Sequence, residues 1–270
     1  MTEALKRVRV PDLSEKKKRG EKIAVLTAYD FAMAQILDRA GVDVLLVGDS
    51  LANVVLGYET TLPVTLDAMV HHAAAVSRGA RRALVVADMP FLTAQVGVSD
   101  AVRGAGRLLS EGGCAAVKIE GGRAVLDAVR RLVDIGIPVM GHLGLLPQSV
   151  HQLGGYGRQA RGEQEASKLL EEARLLEEAG AFSLVLESIP PEVAKSVSAE
   201  LRIPTIGIGA GPWCDGQVLV CYDMLGLSQG PVPPFVKRYA DLGTAISKAA
   251  NEYCDEVRAG RFPAPAREKP

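Results

Sequence analysis

The sequence predicts an α/β fold, a closed (β/α)8 barrel. Eight short apolar runs recur along the 270 residues, and segments long enough to hold helices separate many of them. Several runs are rich in Val, Ile and Leu without polar alternation, as expected of parallel strands covered on both faces. Eight such strands in ~250 residues match a closed barrel. An open doubly wound sheet shows the same alternation and is the structural alternative.

The predicted strands are the eight apolar runs. In chain order they are residues 23–26, 44–47, 83–87, 115–119, 137–140, 182–186, 204–208 and 218–220. Two of the intervening segments, FAMAQILDRA and EASKLLEEARLLEEA, stop at Gly41 and Gly180, and glycine is the residue that most often ends a helix. The eighth run is three residues long, and its spacing from Ile208 leaves little room for a full helix.

No linker interrupts this pattern, so we expect one TIM-barrel domain over residues 1–270. An N-terminal helical extension is expected over about residues 1–22, and a flexible tail over about residues 262–270.

The composition favours a cytoplasmic protein. A formal net charge of −1 lacks the excess of basic residues that is typical of nucleic-acid-binding proteins. The basic stretch 16–19 is expected to be a solvated helix face. Four scattered cysteines form no CxxC pair, which is typical of a reducing compartment. The N-terminus has no apolar signal region, and no apolar stretch approaches the ~18 residues of a membrane span.

Polar residues follow most of the predicted strands. The strand ends of a parallel barrel open on one face, where barrel enzymes place their active sites. We therefore expect these residues to converge there: Asp30, Asp49, Ser50, Asp88, Glu120, His142 and Glu187. Three of them also have a structural interpretation. Asp30 is favoured as a helix cap, and Asp49 and Asp88 could be caps as well.

Strand alternation makes the fourth strand informative. If Val117 and Ile119 face the helices, Lys118 and Glu120 face the barrel interior. A lysine there is costly unless its charge is paired or used, so we interpret it as a site residue. A surface lysine is the alternative.

Such a carboxylate cluster suits enolisation of a 2-oxo acid. Oxygen ligands favour Mg²⁺ or a similar hard cation. The ion would polarise the ketone, Lys118 would add positive charge beside the enolate oxygen, and Glu187 could remove the proton from carbon.

Sequence blocks across most of the chain resemble the 3-methyl-2-oxobutanoate hydroxymethyltransferase (ketopantoate hydroxymethyltransferase) family. In chain order the blocks are TAYD, VGDS, ADMPF, VKIEGG, GHLGL, LESIP and IPTIGIGAGP. The resemblance implies a Mg²⁺-dependent barrel, with one ion per subunit and methylene-tetrahydrofolate as co-substrate. The implied reaction forms 2-dehydropantoate through an enolate, as the first step of pantothenate biosynthesis. It also implies a homodecamer.

The resemblance assigns a role to each matching residue. Metal ligands would be Asp49, Asp88 and Glu120, with direct or water-mediated contact left open for Glu120. Glu187 would be the catalytic proton acceptor. Oxo-acid contacts would come from Asp49, Ser50, Asp88, Lys118 and His142.

Two alternative functions remain open, as does the role of one loop. The chain could be another Mg²⁺-dependent 2-oxo acid barrel of the phosphoenolpyruvate mutase and isocitrate lyase kind, although it has no KKCGH-like loop. It could also be a non-catalytic barrel that binds a metabolite. The Gly-rich stretch after His142 is predicted to be either a lid, with Arg158 or Arg161 near the folate's acidic tail, or a packed surface loop.

Overall fold

Eight parallel strands close into a barrel in the computed structural model, which describes residues 6–228, 230 and 232–264. The strands follow chain order around the barrel, and β8 pairs with β1. Their bounds are β1 Ile23–Thr27, β2 Val44–Val47, β3 Leu84–Asp88, β4 Ala116–Glu120, β5 Val139–Gly144, β6 Ser183–Glu187, β7 Thr205–Ile208 and β8 Gly216–Leu219. The predicted (β/α)8 barrel is confirmed, and the open sheet is wrong.

Helices alternate with most of these strands. They are α1 Val10–Lys18, α2 Phe31–Arg39, α3 Leu51–Val54, α4 Leu66–Gly79, α5 Val98–Ser110, α6 Leu126–Asp134, α7 Val150–Leu153, α8 Glu163–Glu178, α9 Pro191–Glu200, α10 Cys221–Leu225 and α11 Leu242–Arg258. Gly41 and Gly180 follow α2 and α8 with φ of 90° and 93°, which confirms the predicted helix ends. Among the residues described here, no helix is long and apolar enough to cross a membrane.

Alternate residues of all eight strands fill the barrel interior with one buried apolar cluster. Ala116 of β4 and Met140 of β5 belong to it. Because side chains alternate along a strand, Lys118 and Glu120 face the same interior as Ala116. The predicted direction of these two side chains is therefore confirmed.

The segment before β1 closes the N-terminal end of the barrel. Leu13 of α1 is fully buried in the interior cluster. Lys16 Nζ lies 3.2 Å from Asp43 Oδ1, and Lys17 Nζ lies 2.9 Å from Asp215 Oδ2. The expectation of a solvated basic face is wrong for these two lysines, because α1 docks on acidic residues at the bottom of the barrel. The predicted extension includes residues 1–5, which lie outside the described residues.

The chain divides into two compact units after Val220. The second unit contains α10 and α11, and α11 buries none of its residues although it carries the apolar side chains of Ile246, Tyr253 and Val257. The single-domain expectation stays a prediction. Of the tail expected to be flexible, residues 265–270 lie outside the described residues.

Closure of the barrel depends on a close approach between β8 and β1. The loop of residues 209–215 joins β7 to β8 without a helix, as the short spacing predicted. A Cβ on Gly216 would lie 2.5 Å from Ile23 O and 2.7 Å from Ile206 Cδ1. Only glycine fits this junction without displacing a neighbouring strand.

We expect Gly216→Ala to lower the free energy of unfolding by about 1–3 kcal/mol, the usual cost of overpacking. Urea denaturation measures the change. Gly106→Ala in α5 is the matched control, because its Cβ would meet open space. That change should stabilise the chain by roughly 0.5–1 kcal/mol, the helix propensity difference. Equal effects of the two substitutions would contradict the packing argument.

Candidate active site

The residues predicted for the site lie together at the C-terminal mouth of the barrel. The strand register pairs Asp88 with Lys118 and Glu120 with His142 on neighbouring strands. Because these four residues belong to the strands of the barrel, their positions are fixed by the sheet and do not depend on flexible loops. The group consists of Asp49, Ser50, Asp88, Lys118, Glu120, His142 and Glu187.

Lys118 is buried at the centre of this group. Its Nζ lies 3.1 Å from Asp88 Oδ1, 3.2 Å from His142 Nδ1 and 3.9 Å from Glu120 Oε1. Burial by itself would lower the pKa of Lys118, but the surrounding carboxylates outweigh burial and raise it above its usual value. Lys118 is therefore a fixed positive charge at neutral pH, and the surface alternative is wrong.

Each of three buried carboxylates has one oxygen held by a protein donor. Gln148 Nε2 donates to Asp49 Oδ2 over 2.8 Å, and the Asp49 N–H donates to Asp88 Oδ2 over 3.0 Å. The Gln148 N–H donates to Glu120 Oε2, also over 3.0 Å. Asp88 Oδ1 and Glu120 Oε1 are buried but accept no hydrogen bond from any described residue. Asp88 Oδ1 has an ion-pair contact with Lys118, and Glu120 Oε1 has contacts with Lys118 and His142, which leaves acceptor capacity on both oxygens for a ligand.

Negative charge is in surplus in this cluster, because three buried carboxylates face one buried lysine. Burial and the charges of Asp88 and Glu120 raise the pKa of Asp49 well above its ordinary value. The arrangement therefore penalises ionisation of Asp49 unless further positive charge is bound.

His142 lies between two carboxylates inside the barrel. Its Nδ1 is 3.5 Å from Glu120 Oε1, and its Nε2 is 3.2 Å from Glu187 Oε2. Burial and Lys118 disfavour the imidazolium, but Glu120 and Glu187 outweigh them and raise the pKa of His142 to about 9. Although burial would raise the pKa of Glu120, His142 and Lys118 lower it. The carboxylates on both sides of His142 therefore favour its protonated form.

Glu187 differs from the other three carboxylates in position and exposure. It ends β6, and its side chain is 17% exposed, against 3–4% for Asp88 and Glu120. Its own backbone carbonyl accepts the Leu145 N–H over 2.9 Å, which fixes it against β5. Glu187 therefore has access to the mouth of the barrel while remaining on a rigid strand.

Gln148 is the site residue that sequence reasoning missed. It lies on the short 3₁₀ turn Pro147–Ser149 after β5 and is buried. Besides Asp49 and Glu120, it contacts Met89 O, to which Nε2 donates over 3.0 Å. It follows the GHLGL block by three residues, and a neutral amide has no charge or metal preference that would mark it as a site residue in the sequence.

Two of the residues expected at the strand ends, Ser50 and Asp30, have contacts that fix the local structure. Ser50 Oγ lies 2.9 Å from Tyr29 OH, so a buried tyrosine positions the serine beside Asp49. Asp30 accepts the Met33 N–H over 2.8 Å and caps α2, as favoured from sequence. Asp49 and Asp88 take part in the cluster, and no helix described here uses either as its cap.

The Gly-rich stretch after α7 runs along the mouth. The Gln159 N–H donates to Ser188 O over 2.9 Å, so this stretch is fastened beside Glu187. Tyr156, Arg158 and Arg161 are exposed. A cavity of about 470 Å³ opens under the same stretch and includes Glu120 and Gln148 in its wall.

The donor set fits a hard divalent cation. All candidate ligand atoms are carboxylate oxygens, two of them buried without a hydrogen bond, and the cluster has surplus negative charge. Within the described part of the chain, no group of three His, Cys, Asp or Glu side chains is arranged to hold a metal ion. The support for Mg²⁺ is instead the chemistry of the oxygen donors, since Mg²⁺ takes one or two carboxylates and keeps its other positions for water and substrate.

Sequence comparison identifies close relatives. The ketopantoate hydroxymethyltransferase family model matches residues 7–265. A 3-methyl-2-oxobutanoate hydroxymethyltransferase of Prosthecochloris aestuarii is 56% identical over 97% of this chain and 96% of its own. Proteins of the same name from Chlorobaculum tepidum and Syntrophus aciditrophicus are 58% and 57% identical, each over 92% of this chain and 91% of its own.

Structure comparison shows a shared fold at low identity. A 2,3-dimethylmalate lyase of the PEP mutase/isocitrate lyase superfamily has a TM-score of 0.61 and 20% identity, covering 97% of this chain and 91% of its own. A phosphonopyruvate hydrolase, solved with oxalate and Mg²⁺, has a TM-score of 0.63 and 10% identity over the same shares. These likenesses concern the barrel alone, so the family match favours a hydroxymethyltransferase over the lyase alternative.

We expect Asp49→Asn to stabilise the chain in the presence of a chelator, because the substitution removes a desolvated charge while keeping an acceptor for Gln148. The melting temperature should rise by a few degrees. Since the pKa of Asp49 is raised on folding, wild-type stability falls as pH rises towards that pKa, and the gain should be larger at pH 8 than at pH 5.

Thermal unfolding at both pH values measures this gain. Asp30→Asn is the control, because Asp30 is an exposed cap and asparagine caps equally well. An Asp49 variant that is less stable than wild type at pH 8 would contradict the charge argument.

Proposed function

The chain belongs to the ketopantoate hydroxymethyltransferase family and adds a hydroxymethyl group to 3-methyl-2-oxobutanoate, and from this premise we propose how its residues do so. The product is 2-dehydropantoate, in a step of pantothenate biosynthesis, and the one-carbon donor is methylene-tetrahydrofolate. The observation that supports the proposal is the placement of the carboxylates. Three lie buried around Lys118, while Glu187 lies apart from them and is partly exposed at the mouth of the barrel.

Asp49 and Asp88 would hold one Mg²⁺ per subunit, with Glu120 completing the set directly or through water. The free oxygens of Asp88 and Glu120 and the surplus charge at Asp49 support this role. When bound, Mg²⁺ acts as a Lewis acid that polarises the keto group and acidifies the neighbouring C–H.

The oxo acid would bind beside Asp49 and Asp88, with Ser50, Lys118 and His142 around it. Ser50 is fixed by Tyr29, so its hydroxyl can orient toward the substrate carboxylate at little entropic cost. Lys118 keeps its charge and therefore stabilises negative charge that develops on the keto oxygen.

Glu187 would accept the proton from C3 of the oxo acid. One water molecule would hydrolyse both C–N bonds of the donor's methylene group, which leaves tetrahydrofolate and releases the carbon as formaldehyde. The enolate carbon would then attack the formaldehyde carbon, and the formaldehyde oxygen would take up a proton to become the new hydroxyl group. His142 Nε2 lies 3.2 Å from Glu187 Oε2, and with a pKa raised to about 9 the ring carries a proton on this nitrogen at neutral pH. His142 would thus orient the carboxylate of the base.

Methylene-tetrahydrofolate would approach from the Gly-rich stretch, which is fastened beside Glu187 by the Gln159 N–H. Exposed Arg158 and Arg161 would face its acidic tail. A cytoplasmic location accords with four free cysteines. We also propose a single domain and a homodecamer, to which the unburied apolar residues of α11 give a possible contact surface.

In deuterated water with Mg²⁺, the wild-type chain should exchange the C3 proton of 3-methyl-2-oxobutanoate before any folate is added. Glu187→Gln should slow this exchange by roughly 10²–10⁴, the usual contribution of a general base. Binding of the oxo acid should persist, since Glu187 is outside the buried carboxylate set. Proton NMR of the C3 signal measures exchange.

Glu192→Gln in α9 is the control, an acidic residue beyond the strand end that should exchange at the wild-type rate. Exchange at the wild-type rate in the Glu187 variant would assign the base elsewhere. Absence of both exchange and 2-dehydropantoate formation in the wild type, with any divalent metal, would overturn the proposed mechanism.

A further inference from the structure

Gln148 connects the turn after β5 to the ends of three other strands. Its side-chain NH₂ group donates both protons, one to Asp49 Oδ2 over 2.8 Å and one to Met89 O over 3.0 Å. Its backbone N–H donates to Glu120 Oε2 over 3.0 Å. One buried residue thus contacts the chain at the ends of β2, β3 and β4.

These contacts select which carboxylate oxygens stay free. Asp49 Oδ2 and Glu120 Oε2 are occupied by Gln148, and Asp88 Oδ2 is occupied by the Asp49 N–H. The remaining oxygens of Asp88 and Glu120 lie beside Lys118 and accept no hydrogen bond within the described chain. Without the amide, no hydrogen bond from Gln148 would fix the orientation of the Asp49 carboxylate plane about χ2.

A glutamine is chemically suited to this position. Its amide donates hydrogen bonds without adding charge to a cluster that already has surplus negative charge. The Gln148 Oε1 atom accepts from Gln95 Nε2 over 3.2 Å, which fixes the amide so that its NH₂ group faces Asp49. Glutamate would lose both donors and add repulsion.

We propose that Gln148 is a positioning residue that sets the rotamer of Asp49 for divalent-cation and oxo-acid binding. The inference rests on the proposed function, because it assigns a metal to Asp49. Gln148 acts through Asp49 and touches neither the cation nor the reacting carbon. Its loss should therefore weaken cation binding even when no substrate is present.

Gln148→Met tests this role, because methionine keeps the length of the side chain, removes its donors and leaves the backbone N–H to Glu120 in place. We expect the Kd for Mn²⁺, measured by electron paramagnetic resonance without oxo acid or folate, to rise by roughly 10–100-fold, the usual effect of losing a residue that orients a ligand. The KM for the oxo acid should rise similarly, and the KM for the folate should change little.

Gln152→Met is the matched control, the same substitution on an exposed residue of the following helix α7. It should leave the Mn²⁺ Kd within about twofold, well below the effect expected from a lost orienting contact. If Gln148→Met does not fold, Gln95→Ala at an exposed position removes the donor that fixes the Gln148 amide and should raise the Mn²⁺ Kd in the same direction. Wild-type affinity in that variant would then overturn the positioning role.

The outcomes separate this inference from the function it rests on. Wild-type affinity for Mn²⁺ in a folded Gln148 variant would overturn the positioning role alone. A wild-type chain that forms 2-dehydropantoate but binds no Mn²⁺ would overturn the metal assignment, and this inference with it. Equal losses in the Gln148 and Gln152 variants would show a general effect of the loop and would also overturn it.

Discussion

Surplus negative charge buried around Lys118 is the constraint on which the rest of the site depends. Ends of neighbouring parallel strands lie about 4.8 Å apart, so acidic residues at successive strand ends are brought together whether or not they repel. Lys118 compensates one of them and keeps its proton because the others surround it. Burial and the charges of Asp88 and Glu120 raise the pKa of Asp49, and Glu120 and Glu187 raise that of His142. A bound cation would therefore lower the electrostatic energy of the folded chain.

The fold places the carboxylates in two environments, buried for those suited to a cation and partly exposed for the one suited to proton transfer. Asp88 and Glu120 are almost fully covered and each has one oxygen occupied by a backbone donor, which suits a ligand of fixed geometry. Glu187 lies on the far side of His142 and retains exposure, which suits a group that must take up and release a proton. Because α1 closes the other end of the barrel, substrates have this one mouth to enter among the parts described.

Much of the fold and of the site could be predicted from the sequence, because both depend on local pattern. Apolar runs specify buried parallel strands, and polar residues at their ends must share a face once the barrel closes. The direction of Lys118 followed from alternation alone. Strand limits were less certain, since Asp88, Glu120 and Glu187 prove to be the last residues of their strands rather than the first of their loops. Long-range contacts were not accessible: Gln148 reaches Asp49 from 99 positions away, and Lys17 pairs with Asp215.

A divalent cation should relieve the buried surplus of negative charge, and calorimetry of Mn²⁺ binding in buffers of different ionisation enthalpy tests this most directly. Burial and the neighbouring carboxylates raise the pKa of Asp49, and Glu120 and Glu187 raise that of His142 to about 9, so a bound cation that lowers either pKa should release protons. We therefore expect one Mn²⁺ per chain, with a binding enthalpy that depends on the buffer and reports proton release at neutral pH. Absence of stoichiometric binding, or binding without proton release, would contradict the account.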